Sequence, residues 1–111
     1  MRKAIVLGCA VTAMAATTPA FADTHYMLCF GGGQKALYFS AVYPVGENVK
    51  SKNEEPRFNA FVNAKYKTMI HGECHRSGTQ ASADSDKKIR EDGFRNSKPV
   101  WNIIETNWAG K

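Results

Sequence analysis

The chain has 111 residues, of which 43% are hydrophobic and 23% charged, and its formal net charge is +5. This length is enough for one small domain. Basic residues near the C-terminal end alternate with acidic ones, as on a solvated helix face, so the mild positive charge argues against a nucleic-acid partner.

The first 22 residues have the pattern of a secretory signal peptide. A short basic segment precedes an apolar run, and Ala20-Phe21-Ala22 supplies a small-residue cleavage site. We expect cleavage after Ala22, which leaves residues 23–111 as a single periplasmic or secreted domain. A lipoprotein signal ending at Cys9 is the alternative. No later apolar run is long enough to span a bilayer, so we expect no membrane anchor after cleavage.

Two cysteines, Cys29 and Cys74, remain after this cleavage. In an oxidising compartment paired cysteines are the default, and a domain this small needs a constraint beyond its hydrophobic core. We therefore predict a disulfide between them. On the chain-entropy model it stabilises the fold by about 4 kcal/mol.

The first half of the mature chain is predicted to be a hairpin followed by a helix. β-rich runs over residues 24–30 and 36–43 flank Gly31-Gly32-Gly33, and the second run stops at Pro44. A polar connector over residues 45–53 leads to a helix from Asn53 to Lys65, with Asn53 as its N-cap. Its apolar face is the stripe Phe58, Phe61, Val62 and Tyr66.

The second half is predicted to consist of a strand, a helix and a strand. Residues 67–75 are predicted to be the third strand, and residues 80–95 a helix with a thin apolar face. Val100 to Trp108 reads as the last strand. The predicted fold is therefore α+β, in the order β-β-α-β-α-β, with one four-stranded mixed sheet, two helices on one face and one disulfide. The disulfide is expected to make strands one and three parallel neighbours.

With both helices on the side of the cysteines, the opposite face of the sheet should be open and rich in aromatic residues. Such a face is typical of a recognition or self-association surface, and homodimerisation through it is one expectation. The alternative is that the connector or the N-terminus covers it. The predicted binding residues on this face are Tyr26, Tyr38, His71, Glu73 and Trp101.

His71, Glu73 and His75 occupy alternate positions and are the candidate metal ligands. In a regular strand the two histidines are about 13 Å apart and could not bind the same ion, so His71 and Glu73 are weak candidates and no metal or other cofactor is expected. No catalytic motif accompanies them. The chain is predicted not to be an enzyme.

The segment from the strand around Cys74 through the second helix to the strand ending in Trp108 is similar in outline to half of a sporulation-related repeat domain. That resemblance implies binding of peptidoglycan glycan strands on a sheet face. The function predicted first is an envelope protein-binding module, such as an inhibitor, an immunity-type protein or an accessory protein. A glycan-binding module using Tyr26, Tyr38 and Trp101 is the alternative, and a metal-dependent protein using His71 and Glu73 is the second alternative.

Overall fold

The computed structural model describes residues 24–34, 36–98 and 101–111, and the predicted signal peptide and Val100 lie outside these ranges. The fold is organised around one long strand, β1 (Thr24–Gly32), which pairs along both of its edges. The other elements are β2 (Ala36–Phe39), β3 (Tyr43–Gly46), α1 (Ser51–Tyr66), β4 (Glu73–Ser77), α2 (Gln80–Arg95) and β5 (Asn102–Glu105).

The five strands form one mixed sheet. On one edge β1 pairs antiparallel with β4, and on the other edge it pairs antiparallel with β2 and β3. β5 lies parallel to β2 and ends the sheet on that side in the described chain. The predicted α+β class, the mixed sheet and the disulfide are confirmed, and the sheet has five strands where four were predicted.

The additional strand arises because the predicted strand over residues 36–43 is interrupted. Phe30 lies opposite Phe39, whereas Met27 lies opposite Tyr43, so one extra residue stands on that side between the two pairs. This is a β-bulge. The Ser40 N–H donates to the carbonyl of Cys29 at 2.8 Å, and the Cys29 N–H donates to the hydroxyl of Ser40 at 2.8 Å. The chain therefore resumes pairing as β3, which contains the proline expected to end the strand.

The predicted parallel arrangement around the disulfide is wrong. Cys29 and Cys74 are bonded, but they lie directly opposite each other in the antiparallel pair of β1 and β4. The predicted third strand began at residue 67, whereas β4 begins at Glu73. The chain reverses direction at Lys67, which ends α1 in the left-handed conformation, and runs back along the helix. This return sets the direction of β4.

Three side chains of α1 hold this returning segment. Glu55, Asn59 and Asn63 recur every four residues and therefore share one face of the helix. They accept hydrogen bonds from the backbone N–H groups of residues 74, 72 and 70, at 3.1, 2.8 and 2.8 Å. Four residues of helix rise about 6 Å and two residues of extended chain about 6.6 Å, so the two spacings match. The helix thus satisfies donors that an edge strand would leave unpaired.

The two helices lie on opposite faces of the sheet, which corrects the prediction that both lie on one face. On the face of the disulfide, Met27 and Cys29 pack with Phe58 of α1 and with Trp108. On the other face, the neighbouring β1 residues pack with Phe94 of α2; this second cluster contains Leu28, Phe30, Leu37 and Phe39, with Trp101 and Ile103 beside it. The segment Met27 to Phe30 of β1 is therefore buried on both faces, the arrangement in which continuous apolar runs are found.

The helix bounds agree with the prediction closely for α2 and less well for α1. Helix α2 has the predicted bounds, and the hydroxyl of Thr79 caps it by accepting from the Ser82 N–H at 3.1 Å. Helix α1 begins two residues before the predicted N-cap, Asn53, and ends one residue after the predicted end. Lys50 precedes the helix without a side-chain cap, so the N-cap prediction is wrong.

Candidate binding groove

The structure does not bring the five predicted binding residues together on one surface. Tyr38 is buried on the disulfide face. Trp101 packs on the α2 face, which Tyr26 and Glu73 share by the alternation of their strands. His71 is exposed in the segment between α1 and β4.

The face predicted to be open is covered at its centre by α2. The guanidinium carbon of Arg90 lies 4.6 Å from the centroid of the Phe30 ring, and Phe94 contacts Trp101 edge to face at 6.2 Å. The Lys87 ammonium donates to the carbonyl of Ser40 at 2.9 Å. Long cationic side chains thus cover apolar surface that the thin apolar stripe of α2 could not cover alone.

The histidine and glutamate side chains form a surface pair. His75 Nε2 lies 2.7 Å from Glu73 Oε1, and the His75 ring stacks on Phe30 with centroids 5.4 Å apart. His71 is not on β4, so it does not extend the alternation of these two residues. Within the described ranges, no group of three or more histidine, cysteine, aspartate or glutamate side chains could hold a metal ion.

A groove of about 610 Å³ lies on the disulfide face, where α1 ends and β2 and β5 begin. The first residues of β2 and β5 lie on one side, and the segment from Tyr66 to Met69 lies on the other. The Tyr38 and Tyr66 rings meet within it, with centroids 5.0 Å apart. The lining consists of Gln34, Ala36, Tyr38, Tyr66, Lys67, Thr68, Met69 and Asn102.

The segment from Tyr66 to Met69, which we call the groove wall, is held in a fixed position. Ile70 follows the groove wall, and Asn63 binds both of its backbone groups. Asn63 accepts from the Ile70 N–H at 2.8 Å and donates to the Ile70 carbonyl at 3.5 Å. The Ile70 side chain is buried in the core. A side chain at Gly33 would lie 2.9 Å from the hydroxyl of Thr68, so the turn after β1 packs closely against the wall. The groove is therefore preformed.

Lys67 in the groove wall has φ 54° and ψ 48°, a conformation that usually favours glycine. For a lysine this conformation costs on the order of 1 kcal/mol. The Lys67 ammonium makes no ion pair and no hydrogen bond with residues 24–34, 36–98 and 101–111. The groove wall thus presents an unpaired cation from a strained backbone position.

Met69 at the end of the groove wall is 73% exposed. In the part of the chain that the structure describes, the other large hydrophobic side chain with comparable exposure is Ile89 on the outer side of α2, at 68%. Met69 therefore adds accessible apolar surface beside a groove that already contains two tyrosines.

A second cluster of charged groups joins α2 to β5. Lys87 Nζ lies 2.7 Å from Glu105 Oε1. Burial, followed by a hydrogen bond with Glu105, raises the pKa of Glu91 from its ordinary 4.5 to about 7. Burial acts in the same direction on Glu105, but hydrogen bonds with Glu91 and Lys87 outweigh it and lower the pKa of Glu105. As a carboxylate, Glu91 has Oε2 buried without a donor among the described residues; protonation lets it donate to Glu105.

A third polar cluster anchors the C-terminal residues and borders a smaller cavity of about 320 Å³. The Tyr43 hydroxyl donates to the buried carboxylate of Glu54 at 2.8 Å. Arg57 donates to the same carboxylate at 2.8 Å and to the carbonyl of Gly110. Burial, and then the bond with Glu54, raises the pKa of Tyr43. Because these groups satisfy one another's hydrogen-bonding capacity, we assign the cluster a structural role.

Comparisons with known proteins add no relationship. The chain matches no protein-family model, and comparisons with curated proteins and with solved structures give no significant similarity. Neither helix of the described chain is long and apolar enough to cross a membrane.

Sequence reasoning missed the groove because its wall was interpreted as part of a strand. In a strand, Lys67 and Met69 would have been two ordinary side chains on a sheet face. The signal that the sequence contained was the spacing of Glu55, Asn59 and Asn63, a polar stripe beside the apolar stripe of the same helix.

Proposed function

We propose that the protein is an exported, non-enzymatic binding module that engages a partner protein of the cell envelope through the groove, as an inhibitor, an immunity-type protein or an accessory protein. The observation that carries the proposal is Met69, 73% exposed at the rim of a preformed groove. Export is supported by the signal-peptide pattern of residues 1–22, and the Cys29–Cys74 disulfide is compatible with an oxidising compartment.

The composition of the groove favours a protein ligand. A thioether adapts its shape to varied apolar surfaces, and methionine and tyrosine are enriched where proteins bind one another. The described residues of the lining include no histidine, cysteine, aspartate or glutamate, which are among the side chains that serve most often as catalytic acids, bases and nucleophiles. These features support binding without catalysis at this site.

A glycan ligand, the alternative function, needs an accessible aromatic ring face for stacking. Tyr38 is only 7% exposed. The Tyr66 ring is contacted by Tyr38 and by the Lys65 ammonium, 5.6 Å from its centroid. Of the three residues that the sequence suggested, Tyr26 and Trp101 remain candidates for stacking, since both are half-buried on the other face of the sheet.

The proposal can be tested with a photo-crosslinking amino acid placed at Met69 or at Ile89 in the full-length protein, expressed in its native host. The two positions have similar exposure, so Ile89 controls for nonspecific contacts. We expect a discrete protein adduct from position 69 alone. The purified partner should then bind the wild type and lose affinity for Met69→Glu.

Equal labelling at both positions would contradict the proposal. Co-sedimentation of the protein with isolated peptidoglycan that is lost in Trp101→Ala, together with no adduct at position 69, would instead establish the glycan alternative.

A further inference from the structure

We infer that the partner presents an acidic and partly apolar segment to the groove, with a carboxylate bound by the Lys67 ammonium and an apolar side chain packed against Met69 and Tyr66. This inference rests on the proposed function and names the chemistry of its ligand.

The positive charge in the groove favours a ligand with a negative charge. Among the described residues that line the groove, Lys67 is the one with a charge, and the other polar groups are neutral: Gln34, Thr68 and Asn102, with the hydroxyls of two tyrosines. The ammonium has no anion of its own among the described residues, unlike Lys87 and Lys88, which are paired with Glu105 and Asp92. A ligand carboxylate can therefore bind Lys67 without displacing an existing partner, whereas a basic ligand would be repelled.

The backbone at Lys67 gives a second, independent reason to assign a role to this side chain. Glycine would adopt the same left-handed conformation without steric cost, as Gly110 does with φ 85°. A lysine at this position sacrifices stability. Strain of this kind, held in place by the packing around it, is typical of functional positions.

The apolar part of the ligand is indicated by Met69 and the two tyrosines. Met69 lies two residues after Lys67, and Tyr66 lies one residue before it, so a charged and an apolar contact are available within four consecutive residues. A volume of about 610 Å³ lies in the range of sites that bind small ligands or short segments. An apolar side chain of the partner could pack against Met69 and Tyr66 while an adjacent Asp or Glu binds the Lys67 ammonium.

The start of β1 lies far from the groove. Thr24 pairs with Gly46 at the start of β1, whereas the groove lies beyond the end of that strand, next to Gln34. Nine strand residues span roughly 27 Å, so a segment joined to Thr24 begins at the far end of the sheet. Cleavage after Ala22, which the signal-peptide pattern predicts, would leave only Asp23 before Thr24, so the occupant is assigned to a separate partner protein.

The test is a selection of random linear 12-residue peptides displayed on phage, carried out on the intact, oxidised protein. Peptides retained by the wild type are then measured individually against Lys67→Gly, Lys67→Gln and Met69→Glu. Asn107→Gly is the matched control, since Asn107 also has a positive φ, 62°, and does not line the groove.

We expect the selected peptides to carry Asp or Glu next to a large apolar residue. Their affinity should fall about three- to tenfold in Lys67→Gly and in Lys67→Gln, should fall as salt is raised, and should be unchanged in Asn107→Gly. Met69→Glu should abolish binding.

Peptides that are neutral or basic, or that bind Lys67→Gly as tightly as the wild type, would overturn the inference about ligand chemistry. The proposed function would still stand if those peptides were sensitive to Met69→Glu. Peptides insensitive to both substitutions, or a selection that enriches none, would count against the inference; crosslinking at Met69 judges the proposed function separately.

Discussion

Cys29 and Cys74 face each other across the antiparallel pair of β1 and β4, with their Cα atoms 4.0 Å apart and both side chains in the core under α1. The backbone N–H and C=O of Cys29 bond to Ser40 on the other side, so the disulfide joins β4 to the most extensively paired part of the sheet. Removal of this bond should therefore destabilise the whole fold.

Replacing both cysteines by alanine is expected to lower the free energy of unfolding by about 4 kcal/mol, because the bond closes a loop between residues 45 positions apart. Urea unfolding of the oxidised wild type, the reduced wild type and the double variant measures the effect. The reduced wild type controls for the packing of the sulfur atoms. An unchanged urea midpoint in both would contradict this assignment of stability.

The hydrogen bonds from α1 to the returning chain give a second prediction. Asn63→Ala removes the acceptor of the Ile70 N–H and the donor to the Ile70 carbonyl, and should destabilise the protein by about 1–3 kcal/mol. Asn53→Ala is the matched control, since Asn53 is exposed on the same helix, and it should change stability by less than about 0.5 kcal/mol. Similar losses in both variants would show that the Asn63 bonds add little.

Glu91 predicts how stability changes with pH. Its pKa is raised from 4.5 to about 7 in the folded protein, so its contribution is fully present below about 4.5 and is lost as the pH rises through about 7. The pKa of Glu105 is lowered, so its contribution to stability is lost as the pH falls below the ordinary pKa of 4.5 and does not change above it. Between these values, deprotonation of Glu91 should loosen α2 from β5.

The measurement is the urea midpoint at several pH values between 5 and 8. The wild type should lose stability over this interval, and Glu91→Gln, which keeps a neutral hydrogen-bond donor, should lose much less. Asp84→Asn, an exposed change on the same helix, should follow the wild type. If Glu91→Gln has the same pH profile as the wild type, then Glu91 is not the group responsible.

The sequence was informative where local chemistry decides the structure. The run over residues 80–95 predicts α2 with its observed bounds, and the two cysteines that remain after the predicted signal peptide predict their bond. The placement of α2 was wrong because alternation was applied to β1, although Met27 to Phe30 is continuously apolar and therefore buried on both faces.

The groove could not be predicted from such patterns, because it depends on a reversal of the chain. Nothing local marks Lys67 as left-handed, since glycine is the usual signal for that conformation and is missing there. The reversal is stabilised by distant contacts, including the bonds of Asn59 and Asn63 to the returning backbone. Contacts of this kind appear only when the helix and the strand are seen together.

The most direct test of the account is to measure stability and partner crosslinking together in Lys67→Gly. Glycine relieves the left-handed backbone, so the account predicts a gain in unfolding free energy of up to about 1 kcal/mol, accompanied by weaker crosslinking to the partner from position 69. A variant that is more stable and crosslinks as efficiently as the wild type would contradict the claim that the groove wall is built for binding.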